Sequence, residues 1–298
     1  MSYLSLLDIN IFAILVCFVL ASLVVTGHRK IIQYKAKKAL ESEIAKRDNF
    51  AFGINYACQI GIIAITSAYI FPDLYQHLTA GRFTLAILTV VISFSFILLG
   101  QYIHRKWILN RFNEEKAIMK QNICAALVDS GMLLGNTILV LGIFHWLHPQ
   151  GISDLLVATI SFIVLQAIFA IDSKLREIRF AKANQGASLQ QNFNLANTSI
   201  GIRYAGKTIG LSLALFAGLQ SAPYHGATIV ENINSVLIHC GMMWALLYIT
   251  SFSLVNWALP KVNVGLEVDH QDNIGVACIE FAVFSTMGYL LINISSVY

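Results

Sequence analysis

The chain has 298 residues, of which 57% are hydrophobic and 12% are charged, and its formal net charge is +4. A soluble domain carries about twice that charged fraction, so the composition excludes an ordinary soluble protein. The apolar residues are grouped into runs of roughly 20 residues, the length needed to cross a bilayer. We therefore expect an all-α, polytopic membrane protein that has the lipid bilayer as its surroundings.

Apolar runs follow one another along the chain, separated by short polar connectors, and they predict eight transmembrane helices. Residues 1–7 contain no Lys or Arg. The first run is therefore expected to be a membrane helix and not a cleavable signal peptide, which has a basic segment before its apolar part. The runs span approximately residues 8–27, 50–72, 82–103, 122–147, 153–172, 196–220, 231–255 and 273–295.

Basic residues are concentrated in the connectors on one side of the predicted membrane. The connectors after the first, third and fifth runs contain seven, five and four Lys or Arg residues, whereas the opposite connectors contain Arg82 alone. Cytoplasmic loops carry such an excess. We expect a multi-pass protein of the bacterial inner membrane with both termini on the periplasmic side. This excess of Lys and Arg in cytoplasmic loops also accounts for the positive net charge, so no nucleic-acid partner is expected.

The even-numbered runs share a pattern. Each opens on an asparagine and carries a polar or charged residue six or seven positions later. Residues 49–59 align with residues 197–207, and residues 122–129 align with residues 273–280. The distance along the chain between the aligned segments predicts two tandem four-helix pseudo-repeats, residues 1–149 and 150–298. Each is made of two helical hairpins, and the even-numbered helices are expected to form an inner ring. The pairs are Asn49 with Asn55, Asn122 with Asp129, Asn197 with Arg203 and Asn273 with Glu280.

Two of these segments resemble a known family. Asn122–Phe144 and Asn273–Ile292 each combine the asparagine, an acidic residue seven positions on and small residues after it. In this they are similar to the YjfL-type bacterial inner-membrane proteins, a domain of unknown function (family 350). The resemblance implies two tandem four-helix units covering nearly the whole chain, and it implies no biochemical activity. The Asp at position 129 and the cations Arg203 and Lys207 depart from the pattern of the family.

The repeated polar positions are expected to lie at one depth in the membrane. A helix rises about 1.5 Å per residue, so a position six or seven residues from the helix start lies roughly 10 Å into the bilayer. The layer is either a path or binding site for a proton or small cation, or a self-neutralising network that holds the helices in register. It contains Asn55, Asp129, Arg203 and Glu280, with Gln59 and Lys207 one turn deeper and Asn136 two turns beyond Asp129.

Other motifs carry less weight. Gly201 to Thr208 matches the phosphate-binding pattern GxxxxGKT, but the match lies inside an apolar run, where no strand precedes it. His145 and His148 have a spacing that suits a metal or haem, although a place in the interfacial aromatic belt beside Trp146 is favoured. We expect no metal and no cofactor. The Gly-x-x-x-Gly pairs 131/135 and 206/210 predict close helix packing within the chain, with homo-oligomerisation as the alternative.

Two functions of different classes remain open. The leading hypothesis is a non-enzymatic protein that moves or senses a proton or small cation, with Asp129 and Glu280 as the titrating groups and no catalytic residues. The alternative is a membrane anchor or adaptor for a cytoplasmic envelope-stress protein. That partner would dock on the basic connectors, such as residues 28–47 or the Gln/Asn-rich residues 173–195, which are predicted to be less ordered.

Overall fold

A computed structural model describes residues 18–19, 21–27, 29–30, 40–79, 81–226 and 228–296, and the regular secondary structure of these residues is helical. A π-helical turn, Ser42–Lys46, precedes the first long helix, and a second one, His104–Ile108, extends the second. The helices are α1 (Phe50–Thr79), α2 (Phe83–Ile103), α3 (Glu114–Met119), α4 (Ile123–Leu147), α5 (Ile152–Ala183), α6 (Leu189–Asn194), α7 (Thr198–Ser221), α8 (Ile229–Ala258), α9 (Val264–Asp269) and α10 (Ile274–Ser295).

Six of the described helices are long and apolar enough to cross a membrane: α1, α2 with its π-turn, α4, α5, α8 and α10. The helix α7 is not among them, although its 24 residues reach about 36 Å. It packs against α4, α8 and α10 and carries Arg203 and Lys207. A helix surrounded by protein does not need the apolar surface that lipid demands. Of the predicted first run, residues 8–27, the larger part lies outside the described residues.

The helix α5 is longer than the sequence pattern predicted. The apolar run ends near residue 172, but the helix continues to Ala183. Residues 173–183 are mostly strong helix formers, and Arg176 pairs with Asp172 one turn before it. The expectation of a less ordered connector was therefore wrong for residues 173–183. Residues 189–194 of the same connector form the short helix α6.

The long helices form two layers. In the first layer, α1, α4, α7 and α10 lie side by side in that order, and each packs against its neighbours in the row. In the second layer, α2 covers α1 and α4, α5 covers α4, and α8 covers α7 and α10. The even-numbered predicted helices therefore form a row in the described structure, whereas the sequence suggested a ring.

Small residues set the spacing within this row. A Cβ atom added to Gly131 of α4 would lie 2.6 Å from the Cα atom of Ala205 in α7. One added to Gly206 of α7 would lie 2.4 Å from the Cα atom of Phe281 in α10. Both predicted Gly-x-x-x-Gly motifs thus lie in interfaces within the chain, where the backbones of neighbouring helices approach closely.

These contacts share one register. Gly131 and Gly206 lie nine residues after the asparagine that opens their helix, and they meet residues that lie eight positions after the next asparagine. The first interface follows the same rule, since the Sγ atom of Cys58 in α1 lies 3.5 Å from the backbone oxygen of Ser130 in α4. The three neighbouring pairs in the row therefore pack in equivalent positions.

The four repeat-start asparagines begin helices in the same way. Each is preceded by a residue with a left-handed backbone, and each accepts a hydrogen bond through its side-chain oxygen from the backbone N–H three residues later. An Asn at this position satisfies one of the N–H groups that a helix start leaves unpaired. The left-handed residues are Asp48, Gln121, Ala196 and Asp272, before Asn49, Asn122, Asn197 and Asn273.

The side-chain amides of three of these asparagines join consecutive units. Asn49 donates to the backbone oxygen of Ile118 at 3.1 Å, Asn122 to that of Phe193 at 2.8 Å, and Asn197 to that of Val268 at 3.3 Å. The three acceptors are 75 residues apart and lie in the short helices α3, α6 and α9. Asn273, in the last unit, donates to the side chain of Glu267. Each of the first three asparagines therefore caps its own helix and holds the short helix of the next unit.

Candidate functional site

Asp129 on α4 is the centre of the first buried charged cluster. Its side chain is inaccessible to solvent and receives two hydrogen bonds from the Arg105 guanidinium, Nε to Oδ1 and Nη2 to Oδ2, both 2.8 Å long. The side-chain amide of Asn55 on α1 donates to Oδ2 at 2.7 Å, and Gln59 donates to the Asn55 oxygen at 2.6 Å. Both carboxylate oxygens are thus bound, and a bidentate arginine is a strong form of such pairing.

Arg105 has a second acidic partner. Its Nη1 atom contacts the carboxylate of Glu115, which lies on the short helix α3 and has a side chain 71% exposed. The arginine is 19% exposed and stands between the buried Asp129 and this surface carboxylate. One guanidinium therefore links a membrane helix to a short helix at the end of the bundle.

Glu280 on α10 is the centre of the second cluster. Its oxygens contact Nε of Arg203 and, at 3.3 Å, Nζ of Lys207, and both cations come from α7. Arg203 also binds Oδ1 of Asp269 at 2.6 Å and donates to the backbone oxygen of Val264 at 2.7 Å. Arg203, like Arg105, therefore joins a buried carboxylate on a long helix to a second carboxylate on a short helix.

The predicted residues form two clusters and not one layer. Asn55 and Gln59 lie with Asp129, whereas Arg203 and Lys207 lie with Glu280. Of the two acids Asp129 and Glu280, only Glu280 has Arg203 and Lys207 as partners. Arg105, the counter-charge of Asp129, follows the third apolar run, and the sequence therefore predicts a connector residue at this position.

Asn136 lies deeper in α4 and takes part in neither cluster. Its amide donates to the backbone oxygens of Phe96 and Ile97 on α2, and its oxygen accepts a 2.6 Å hydrogen bond from Gln166 on α5. Gly100 lies so close that a Cβ atom there would overlap the Asn136 amide. Asn136 thus joins α4 to the two second-layer helices beside it.

A third buried charge pair was not predicted. Asp172 and Arg176 on α5 are 2.5 Å apart, and both are largely buried. Tyr248 and Trp244 on α8 donate to Oδ1 of Asp172 at 2.6 and 3.1 Å, while Arg176 donates to Thr208 of α7 at 2.8 Å. Because Arg176 follows the fifth apolar run, the sequence predicts a cytoplasmic charge at this position. The i, i+4 spacing of Asp172 and Arg176 is the signal that could have identified the pair.

His104 and Glu114 were also missed. They are 1% and 2% exposed, and the Nδ1 atom of His104 is 4.0 Å from Oε1 of Glu114. Glu114 lies outside the candidate spans, and its burial raises the pKa of the carboxyl group to about 8. A carboxyl group taken out of water favours its neutral form. A buried group that changes charge near neutral pH therefore lies beside Arg105.

The remaining motifs lie in plain structural settings. Gly201 to Thr208 is part of the continuous helix α7. The His145 ring stacks on Phe216 at 5.5 Å, and His148 lies beside it at the end of α4. Within the described part of the chain, no group of three or more His, Cys, Asp or Glu side chains could hold a metal ion.

Long apolar helices in two layers, with charges buried and paired between them, are the features of a multi-pass membrane protein. The chain belongs to the family described as Domain of Unknown Function (DUF350), whose model matches residues 4–144 and 73–192. The predicted family resemblance is thus confirmed. Asn122–Phe144 lies within both matches, and Asn273–Ile292 lies outside them. No curated protein and no solved structure matches the chain.

Proposed function

We propose that the protein is an inner-membrane protein that moves or senses a proton or small cation, with Asp129 and Glu280 as its titrating membrane groups. The observation that carries the proposal is the sharing of each arginine between two carboxylates. Arg105 binds Asp129 and Glu115, and Arg203 binds Glu280 and Asp269.

A shared arginine responds to the charge of either acid. If Asp129 takes up a proton or binds a cation, its attraction for Arg105 falls, and the guanidinium is held mainly by Glu115. The same exchange at Arg203 would shift its interaction from Glu280 towards Asp269. Since one acid of each pair is on a long helix and the other on a short helix, charge uptake in the membrane would change the contact between them. Such a two-state contact is the element that a sensor or gate requires.

We propose two tandem halves, residues 1–149 and 150–298, for a full complement of eight membrane helices. Matching contacts in the two halves support this division, because Asn55 aligns with Arg203 and Asp129 aligns with Glu280. Within each half, the residue six positions after the first asparagine binds the acid seven positions after the second, Asn55 to Asp129 and Arg203 to Glu280. The second family match begins 69 residues after the first, close to the 73 residues between Asn49 and Asn122. This supports a hairpin as the smaller repeating unit.

We propose that the short helices and their basic connectors face the cytoplasm and that both termini face the periplasm. The excess of Lys and Arg in these connectors supports this orientation. In this proposal the protein is not an enzyme, and its polar residues bind protons or cations instead of reacting with a substrate.

The repeated packing positions along the row of helices favour a second copy of the chain as a partner. Ala282 of α10 occupies the position that Gly131 and Gly206 occupy in the helices before it, and it is exposed. Ala57 of α1 occupies the position of Ala205 and Phe281, and it is exposed as well. At the two ends of the row, α10 and α1 thus carry the same pair of packing positions as two neighbouring helices within it. We propose that copies associate with α10 of one beside α1 of the next.

The alternative function is a membrane anchor or adaptor for a cytoplasmic protein. Full pairing of the two buried membrane carboxylates favours it, because both oxygens of Asp129 and of Glu280 have bound partners, as a structural network requires. Three cations at the end of the bundle support it too, since Arg105, Lys106 and Arg111 line a surface pocket of about 370 Å³ together with Glu114 and Glu115. This alternative predicts that replacing Lys106 and Arg111 abolishes recovery of a partner, with no ion flux in either form.

The deciding experiment measures proton and potassium flux in proteoliposomes under an imposed potential. It compares the wild type with the folded double variant Asp129→Asn/Glu280→Gln, and Glu231→Gln, an exposed acid at the other end of the bundle, is the control. We expect flux in the wild type and in the control and none in the double variant. Absence of flux in all three would overturn transport and favour the anchor.

A further inference from the structure

The pair His104 and Glu114 is unusual because both side chains are buried and face each other without a direct hydrogen bond. Three buried atoms have no hydrogen-bond partner among the described residues: both ring nitrogens of His104 and Oε1 of Glu114. The distance between Nδ1 and Oε1 is 4.0 Å. Leaving a buried polar group unpaired costs about 1–3 kcal/mol, so three such atoms in one place need a physical reason.

A proton between the two groups supplies that reason. A protonated Glu114 can donate through its O–H group to Nδ1 of a neutral imidazole, which satisfies one atom on each side chain. A movement of the carboxyl group of about 1 Å would bring the two atoms to hydrogen-bond distance. With the ring proton of His104 on Nε2, an ionised Glu114 would instead face the lone pair of Nδ1, so that two acceptors point at each other.

The pair has access to the cytoplasmic rim. Glu114 opens the short helix α3 and lines the pocket of about 370 Å³ that Arg105, Lys106 and Glu115 also line. His104 lies on the inner side of Glu114, at the end of α2, and its ring is 6.5 Å from that of Tyr204 on α7. A proton can therefore exchange with solvent through the carboxyl group, while the imidazole stays enclosed.

We propose that His104 and Glu114 hold one proton between Nδ1 and Oε1, and that its release to the cytoplasmic solvent draws Arg105 away from Asp129. This inference rests on the proposed sensing function and supplies its proton-binding site. When the proton leaves, the pair gains one negative charge. Arg105 is adjacent to His104 in the chain and already bound to two carboxylates, so the new charge competes for the same guanidinium.

Charges from several helices surround the pair, and some favour retention of its proton while others favour its release. Asp129 and Glu115 favour retention of the proton, since nearby negative charges oppose ionisation of Glu114, whereas Arg105 favours its release. Tyr204 is a neutral neighbour of the ring. The titratable and charged groups that face the pair are Arg105 at the end of α2, Glu115 on α3, Asp129 on α4, Arg176 on α5 and Tyr204 on α7.

The test is a pH titration of the full chain in lipid nanodiscs, followed by two spectroscopic signals. Infrared difference spectra report the C=O band of a protonated carboxyl group, and the Glu114→Gln variant assigns that band. Nitrogen NMR of labelled histidine reports the ring of His104, assigned by its loss in His104→Gln. We expect the band to disappear and the ring signal to shift together, with one midpoint near pH 8.

Arg105→Gln tests the coupling. Removing the adjacent cation should raise the common midpoint by about one pH unit, because the carboxylate loses a stabilising charge. Lys116→Gln is the matched control, since it removes an exposed charge from the same short helix and should leave the common midpoint and both signals unchanged.

Three results would overturn the inference. One is a Glu114 band that is absent across the titration, which would mean that the group is always ionised. Another is a His104 signal that stays constant while Glu114 titrates, and the third is a midpoint unaffected by Arg105→Gln. The two spectroscopic signals do not depend on ion flux. A result against the proton-binding pair can therefore be told apart from a result against the proposed function. A paired titration in a protein without flux would keep the site and refute transport.

Discussion

The side-chain amide of Asn122 donates a hydrogen bond to the backbone oxygen of Phe193, with the two atoms 2.8 Å apart. The same side chain caps α4 through its oxygen, which accepts from the backbone N–H of Ala125 at 3.0 Å. Asn49 and Asn197 make the equivalent pair of bonds in their own units. One asparagine thus starts a helix and fixes the next hairpin against it, which requires a side chain with a donor and an acceptor together.

Asn122→Ala is expected to lower the free energy of unfolding by about 2–4 kcal/mol, since it removes a helix cap and leaves the buried oxygen of Phe193 unpaired. Asn122→Asp keeps the capping oxygen and loses the donor, so it should also destabilise. Asn113→Ala is the matched control because Asn113 caps α3 and is exposed, and it should cost about 1 kcal/mol. Thermal unfolding in detergent micelles measures all three. Equal losses for Asn113→Ala and Asn122→Ala would show that only the cap matters.

Gly210→Ala is expected to destabilise the protein by about 1–3 kcal/mol, because its Cβ atom would lie 2.5 Å from the backbone oxygen of Phe284. Gly61→Ala places the same methyl group on α1, where no atom lies within 4 Å, and should stabilise by about 0.5–1 kcal/mol. Unfolding in micelles compares the two. A stable Gly210→Ala variant would mean that α7 and α10 can separate at this point without loss.

Sequence reasoning identified most of the long helices, since apolar length and the asparagine caps are local signals. Both ends of α4 and α10 fall within one residue of the predicted bounds. It failed at Arg105, Arg176 and Glu114, which are charged residues near run ends that fold back into the protein. A positive charge in a connector and one that reaches into the bundle look alike in sequence. Whether such a cation binds a buried acid depends on which helix packs beside it in the folded protein.

The partner of Asp129 is open to a double-mutant cycle. Arg105→Met leaves a buried carboxylate without its main cation and should cost about 3–5 kcal/mol of stability. The double variant Arg105→Met/Asp129→Asn should lose less than the sum of the single losses, because neither charge is then left alone. Lys106→Met, at the exposed neighbouring position, should change stability by no more than about 0.5 kcal/mol. Additive losses in the cycle would contradict the pairing seen here.

The raised pKa of Glu114 predicts a pH dependence of stability with a definite sign. In the folded protein the carboxyl group keeps its proton up to about pH 8, whereas an ordinary carboxyl group loses it near 4.5. Between these values the folded state binds more protons than the unfolded state, so the free energy of unfolding falls as pH rises. The stabilisation is complete below 4.5 and lost above about 8.

Glu114→Gln should remove this part of the pH dependence, since the amide does not titrate. Lys116→Gln alters an exposed group in the same short helix and should leave the dependence in place. Thermal unfolding midpoints at a series of pH values provide the comparison. If wild type and Glu114→Gln gave parallel curves, another group would be responsible.

Association of copies is expected to place Ala57 of one chain beside Ala282 of the next, because neighbouring helices within the row meet at the equivalent positions. A variant with Ala57→Cys and Ala282→Cys, in a background where the natural cysteines are replaced, should form covalent dimers and larger species on oxidation in native membranes. Ala57→Cys combined with Ile163→Cys on the exposed face of α5 is the control and should stay monomeric. Since α1 and α10 lie at opposite ends of the row, a link within one chain is not expected. Cross-linking confined to single chains would mean that the row closes on itself, and no cross-linking at all would show that copies do not associate through these faces.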